Sequence, residues 1–331
     1  MVRYILLNLV FIVSVITNTN ATAQNRACEQ IVSDIDASSQ SFNLEKLQAY
    51  LVEAKAPDTQ CTSKQLFCMG RRASRLIINE VFTRSSAGVG DGDLKPLLEV
   101  AYDVGPTWKA AFYLAEAEED GDKSDQTRFD RSAKYFQLAI NHIDEIDKFG
   151  SVCAGETEEL PNQSIARMIL DRAAKSVLLA KTFVKPPITR SGEIGGVYLP
   201  SLRGVSLERR PVPTTFEFNS VAFTPKGKAA AKFLLEFINT KNLSTLTLLG
   251  HTDKKGNDAF NCTLSKKRLA AVKGFLRKNG YTGEISTAPR GEFEPVKLDD
   301  PGQYSEEETD RLNRRVELAL NYNKSAKKLC E

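Results

Sequence analysis

The sequence predicts an α+β protein in two parts: an all-α amino-terminal domain, then a βαβαββ domain with helices on one face of a small mixed sheet. Three observations carry that expectation. Apolar residues recur at helical spacing from about residue 25 to 183; prolines and glycines interrupt the pattern between 185 and 213; beyond 215, alternating runs take turns with amphipathic helices. A chain of 331 residues that is 41% hydrophobic can bury more than one core. The expected division is a signal peptide at 1–23, a helical domain at 24–184, a linker at 185–210, the mixed domain at 211–322 and a tail at 323–331.

The signal peptide rests on Arg3, an apolar run over 4–16 and the small-x-small site Ala21-Thr22-Ala23, with cleavage expected after Ala23. The run falls short of the roughly 20 apolar residues of a membrane span, and no second such run follows. Ala27-Cys28 partly resembles a lipobox, but Arg26 and a polar stretch separate it from the apolar run. The chain is therefore expected in an exported, disulfide-permissive compartment.

Cys28, Cys61, Cys68, Cys153, Cys262 and Cys330 all lie beyond the expected cleavage site. If pairing respects the domains, Cys262 joins Cys330, and the pairing of the other four stays open. Without a Cys-x-x-Cys, and with only His142 and His251, no metal or other cofactor is predicted. A net charge of +3, from 45 basic and 42 acidic residues, is too slight to argue for a nucleic-acid partner.

Taking the elements in order, Asn43 caps a helix carrying Leu44, Leu47, Tyr50, Leu51 and Ala54. Thr62 and Gln65 make a capping box ahead of Leu66, Ile77, Ile78 and Val81. Residues 85–93, rich in glycine and small polar residues, read as a loop. Helices are expected at about 94–104, 106–119, 128–147 and 164–183. Trp108, Phe112 and Ala115, followed by Ser132, Phe136 and Ala139, have the large-and-small spacing of tetratricopeptide helix pairs. The turn at 121–127 is longer than that repeat uses, and no 34-residue period recurs. An irregular bundle with these residues in its core and a tetratricopeptide-like array holding a protein partner both stay open.

Pro186-Pro187 excludes helix, and Arg209-Arg210-Pro211-Val212-Pro213 reads as an extended, charged approach. Residues 215–219 alternate as a strand. Thr224-Pro225 opens a helix through Ala230, Phe233, Leu234, Phe237 and Ile238. Residues 243–249 form a second strand, a helix ends at Asn279-Gly280, 284–288 form a third strand, and Val316, Leu318 and Leu320 alternate in a fourth. Residues 299–310, with Pro301-Gly302 and an acidic run, read as a surface insertion.

The segment from Gly250 to Arg268 stands apart. An apolar strand closes on Gly250-His251-Thr252-Asp253 with Gly256 three residues on, and Asn261, Leu264, Ser265 and Arg268 follow on a helix. Positions 264, 268, 272 and 275 share a helical face, so Arg268 sits in an apolar stripe and needs a partner or a pocket. Asp253 is the expected counter-charge. Near the end stands Asn313-Arg314-Arg315-Val316-Glu317, where the parity of Arg314 with Val316 and Leu318 points it to the covered side of the sheet and Arg315 with Glu317 to the other.

These three blocks resemble the peptidoglycan-binding domain of the OmpA-like family, over about residues 211–322. The resemblance implies a non-enzymatic site for the diaminopimelate of a peptidoglycan stem peptide, in the periplasm with the cell wall or outer membrane. Asp253 would take the ammonium of that zwitterion and Arg268 its carboxylate, through a planar fork of donors. Thr252, Asn261, Leu264 and Arg314 would frame the ligand, and Asn219 would add a hydrogen bond. The sequence departs from the family where Leu269 replaces a small residue and where Cys262 adjoins Asn261. His251 is expected to order the loop rather than act as a base, and His142 to be a surface or capping residue. One rival reading is a protein-interaction scaffold for which the wall domain is an address; the other, a wall hydrolase, lacks a catalytic cluster of recognisable spacing.

Overall fold

The computed structural model describes residues 27–153, 159–217, 220–298, 300–320 and 330. The expected signal peptide, the last two residues of the expected mixed domain and all of the expected tail but Cys330 lie outside the described residues. The chain divides into two compact units, Met1–Leu66 and Phe67–Glu331.

In the first unit, helix α1 (Cys28–Ala37) packs on α2 (Leu44–Glu53) ahead of a 3-10 turn at Pro57–Thr59. The Asn43 Oδ1 accepts a hydrogen bond from the Lys46 N–H at 2.9 Å, capping α2 as expected. Ile31, Ile35 and Leu47 are buried, and a disulfide joins Cys28 to Cys61. The Cys28 sulfur is thereby engaged in a bridge rather than free to carry a lipid.

The second unit starts along α3 (Ser63–Ser86), whose first turn carries the reciprocal Thr62–Gln65 box. Helices α4 (Asp91–Val104), α5 (Trp108–Asp120), α6 (Arg128–Phe149) and α7 (Gln163–Leu179) follow, and a disulfide joins Cys68 to Cys153. The expected loop at 85–93 is shorter, because helix continues to Ser86 and resumes at Asp91. Trp108, Phe112, Ala115, Ser132, Phe136 and Ala139 are all buried where α5 packs on α6, so these six residues are core.

The mixed part runs β1 (Arg209–Val212), α8 (Pro225–Thr240), β2 (Thr245–His251), α9 (Asp258–Lys278), β3 (Glu284–Gly291), α10 (Glu306–Asn313) and β4 (Val316–Ala319). The sheet order is β1-β4-β2-β3, with β2 parallel to β3 and β4 antiparallel to β1 and β2. This is the α+β architecture the sequence predicts, with two corrections.

First, the opening strand is Arg209–Val212; of the expected strand at 215–219, residues 218 and 219 lie outside the described residues and the rest makes only an isolated bridge. Arg210 pairs with Leu318 and Pro211 with Glu317 at the sheet edge, where a proline costs no ladder bond. Phe216 bridges Phe223 and stacks on its ring at 5.0 Å. Second, the acidic segment is no surface insertion. Ser305 and Glu308 form a capping box that starts α10, and Tyr304 is buried, its Oη donating to Glu119 Oε1 at 2.8 Å. Arg128 and Glu308 form an ion pair that ties α10 to α6.

One core runs through the unit from Phe136, Ile140 and Ile169 in the helices, through Ile194, Val197 and Tyr198, to Phe233, Leu248 and Leu318 around the sheet. Residues 185–210 are thus packed: Tyr198 Oη donates to the Pro211 carbonyl at 2.8 Å, and the Gly196 N–H donates to Asn141 Oδ1 at 2.9 Å.

Candidate ligand-binding site

The site forms where β2 ends. The His251 N–H donates to the Arg315 carbonyl and the Thr252 N–H to the Gly291 carbonyl, each at 2.9 Å, which fixes the strand-end loop between the ends of β3 and β4. Gly256, at φ +112°, supplies the turn that a side chain would strain, and Asn257 caps α9 by accepting from the Phe260 N–H at 2.8 Å. Helix α9 lies close on β2: Ser265 Oγ donates to the Gly250 carbonyl at 2.8 Å, and a Cβ on Gly250 would come within 2.8 Å of Leu269 Cγ. The glycine therefore makes the space that the large Leu269 fills. Cys262 is joined to Cys330, tying the first turns of α9 to the chain end.

These elements enclose a cavity of about 880 Å³ that holds Thr252, Asp253, Asn261, Leu264, Arg268 and Arg314 together. Asn219 lies outside the described residues. Phe216, Lys255, Phe260, Glu306 and Glu307 complete the wall and were not predicted. The capping box Ser305-x-x-Glu308 was the available signal for the two glutamates, since it places a helix where a loop was expected.

The charge pairing differs from the expected one. Asp253, 8% exposed, pairs with Arg314 Nη1 at 2.5 Å, and its other oxygen accepts from the Lys255 N–H at 3.0 Å. Arg314 leaves the end of α10 and reaches this carboxylate in place of Arg268. Arg268 is nine-tenths buried, has no ion pair among the described residues, and lies with its guanidinium 5.2 Å from the Phe216 ring centroid. Burial, and then the Arg314 charge, hold its pKa below the usual arginine range, with Asp253 opposing in part. Asn261 Nδ2 donates to Glu292 Oε2 at 2.5 Å, whereas Asn261 Oδ1 and Thr252 Oγ1 are buried without partners among the described residues. Lys255 Nζ lies 2.8 Å from Asp310 at the rim.

His251 is buried with its Nε2 3.3 Å from Glu317 Oε2, and Arg315 Nε donates to the other Glu317 oxygen at 2.8 Å. Burial lowers the His251 pKa and keeps the ring neutral. Burial also opposes ionisation of Glu317, but His251 and Arg315 outweigh it and hold that carboxyl down to about 2. Arg315 and Glu317 thus form a buried cluster apart from the cavity, while Arg314 lines it. His142 in α6 is half-buried, with its Nε2 buried without a partner among the described residues, beside Tyr102. Burial, with Arg71 adding, lowers its pKa to about 4.

The strand-end cavity thus gathers the carboxylates of Asp253, Glu306 and Glu307 and the cations Lys255, Arg268 and Arg314, of which Arg268 has no ion pair among the described residues. Residues 215–309 match the OmpA family. The chain is 29% identical over 108 residues to outer membrane protein A of Bordetella avium, covering 32% of this chain and 53% of that protein. It is 33% identical over 112 residues to photosystem I P700 chlorophyll a apoprotein A2 of Gloeobacter violaceus, covering 33% of this chain and 13% of that protein. Among solved structures, the peptidoglycan-associated lipoprotein of Burkholderia pseudomallei is 23% identical, covers 32% of this chain and 86% of that one, and has a TM-score of 0.28. The chain spans about half or less of the length of the curated relatives it matches.

Proposed function

We propose that the cavity binds peptidoglycan non-covalently through the diaminopimelate of a stem peptide, and so anchors the helical bundle in a bacterial envelope. The observation that carries this reading is the pairing state of the three charges. The free end of that residue bears an ammonium and a carboxylate on one carbon. Asp253, fixed by the Lys255 N–H and shared with Arg314, offers an acceptor for the ammonium. Arg268 offers an uncommitted fork of donors for the carboxylate. Asn261 Oδ1 and Thr252 Oγ1 supply further polar atoms that want partners. Phe216 and Leu264 would cover the methylene chain. The match of residues 215–309 to the OmpA family supports the same ligand. The activity is binding rather than chemistry, the place is the periplasmic side of the wall or outer membrane, and the helical bundle is the part displayed to a protein partner.

The test is co-sedimentation with diaminopimelate-type sacculi. The mature chain pellets, whereas Asp253→Ala and Arg268→Ala, each shown to be folded by circular dichroism, stay in the supernatant. A wild-type chain that fails to pellet refutes the proposal.

A further inference from the structure

Next to the ligand cavity lies a second one, of about 220 Å³, lined by Leu178, Pro213, Thr214, Thr215 and Phe216 and by the guanidiniums Arg268, Arg311 and Arg314. Three cations line it and no carboxylate does. Of the acids nearby, Asp253 is paired with Arg314 alone of the three, and Glu308 is paired with Arg128 and accepts from the Ser305 N–H. Arg311 donates to the Leu179 carbonyl at the end of α7, and Arg268, nine-tenths buried, has an Nε without a partner among the described residues. Arg268 is buried and Arg311 and Arg314 are half-buried, and like charges lining one small cavity repel unless an anion sits between them.

We propose that this cavity is an oxyanion site, built for a carboxylate or phosphate held between Arg311, Arg314 and Arg268. The volume suits a small hydrated anion, given that a water takes roughly 30 Å³ of liquid. The fork of Arg311 matches two oxygens of either group, and the other guanidiniums close on the rest. The pKa directions agree with an unmet need for negative charge. Burial lowers Arg311; Glu307 and Glu308, one turn back on α10, offset this in part, and Arg314 and Arg128 add to it. Because Phe216, Arg268 and Arg314 line both cavities, one ligand can span them, its zwitterion in the larger and a second carboxylate in the smaller. A free anion such as phosphate is the other source of the same chemistry.

The experiment is calorimetric titration of the full mature chain with inorganic phosphate, for wild type, Arg311→Gln and Arg311→Lys. Wild type binds, and Arg311→Gln binds about tenfold or more weakly, the loss expected for one charge-assisted fork. Arg311→Lys, which keeps the charge near the Leu179 carbonyl, falls between, and stands as the informative variant if Arg311→Gln does not fold. Absence of phosphate binding to wild type, or equal binding by the folded variants, overturns the proposal. A second arm compares a diaminopimelate stem peptide with the same peptide amidated at its carboxylates outside the zwitterion. Weaker binding on amidation in wild type, but not in Arg311→Gln, makes the peptide the source; no change with phosphate binding intact makes it a free anion. The peptide arm rests on the peptidoglycan reading and the phosphate arm does not. A chain that ignores diaminopimelate yet binds phosphate through Arg311 would sink only the former.

Discussion

Replacing Arg268 by methionine should make the protein more stable and unable to hold its ligand. The guanidinium is nine-tenths buried on an otherwise apolar stripe, with no carboxylate partner among the described residues. Removing an ion of this size from water costs several kcal/mol even after relaxation. Its compensations are the Phe216 ring at 5.2 Å, a contact worth about 0.5–2 kcal/mol, and a partial attraction to Asp253, which Arg314 already engages. Arg314, whose charge acts against it, makes the balance worse. Methionine keeps the length of the stem, buries it without charge and relieves that repulsion. The expected gain is about 1–3 kcal/mol, by analogy with apolar replacement of buried charges. At roughly 2–4 °C per kcal/mol, this is a rise of several degrees in the melting temperature. The assay is urea denaturation followed by the fluorescence of Trp108, the sole tryptophan, which sits in the shared core, run beside sedimentation with sacculi. A folded Arg268→Met chain that loses 2 kcal/mol or more, on the scale of a broken hydrogen bond to charge, would refute the reasoning and make the arginine a structural element.

Three further outcomes are expected. Replacing both Cys262 and Cys330 by alanine frees a loop of sequence separation 68, and loop-closure entropy sets the loss at about 4 kcal/mol, read as a lower urea midpoint; a loss below about 0.5 kcal/mol would contradict the role given to the bridge. Gly250→Ala pushes a Cβ to within 2.8 Å of Leu269 Cγ and should cost about 1–3 kcal/mol, with most of it recovered by adding Leu269→Ala; additive losses in the double variant would count against the close approach. His142 titrates at about 4 when folded and near 6.5 when unfolded, so the unfolded chain holds the extra proton between those values. Stability should fall as pH drops from about 6.5 to about 4, and His142→Asn should flatten that slope in denaturation curves taken at each pH.

The parts of the site legible in the sequence are those where neighbours in the chain are neighbours in space. Asp253 sits two residues past β2, and Asn261, Leu264 and Arg268 share a helical face, so the strand-end and helix blocks place them without knowledge of the rest. The choice of Arg314 over Arg268 as partner of Asp253 was not legible, because it depends on where α10 ends, and α10 was read as loop. The same segment hides the second cavity, since Arg311 follows directly on the stretch that reads as a surface insertion. β1 was obscured by its own composition: two arginines before a proline read as an approach, although Arg210 is buried and donates to the Leu199 carbonyl at 3.0 Å. Periodicity also understated the polar residues of the bundle. Glu119 is buried because Arg172 and Tyr304, from elements far along the chain, satisfy it.

The claim that Asp253 and Arg268 read a zwitterion is tested most directly by release. Wild-type chain bound to sacculi is washed with free diaminopimelate or with Nα-acetyl-lysine amide, which keeps a chain ending in an ammonium but has no carboxylate beside it. Diaminopimelate should displace the protein at concentrations where the blocked lysine does not, and added salt at matched ionic strength should leave it bound. Equal release by both compounds, or by salt alone, would mean that general charge attraction rather than a built zwitterion site holds this protein to the wall.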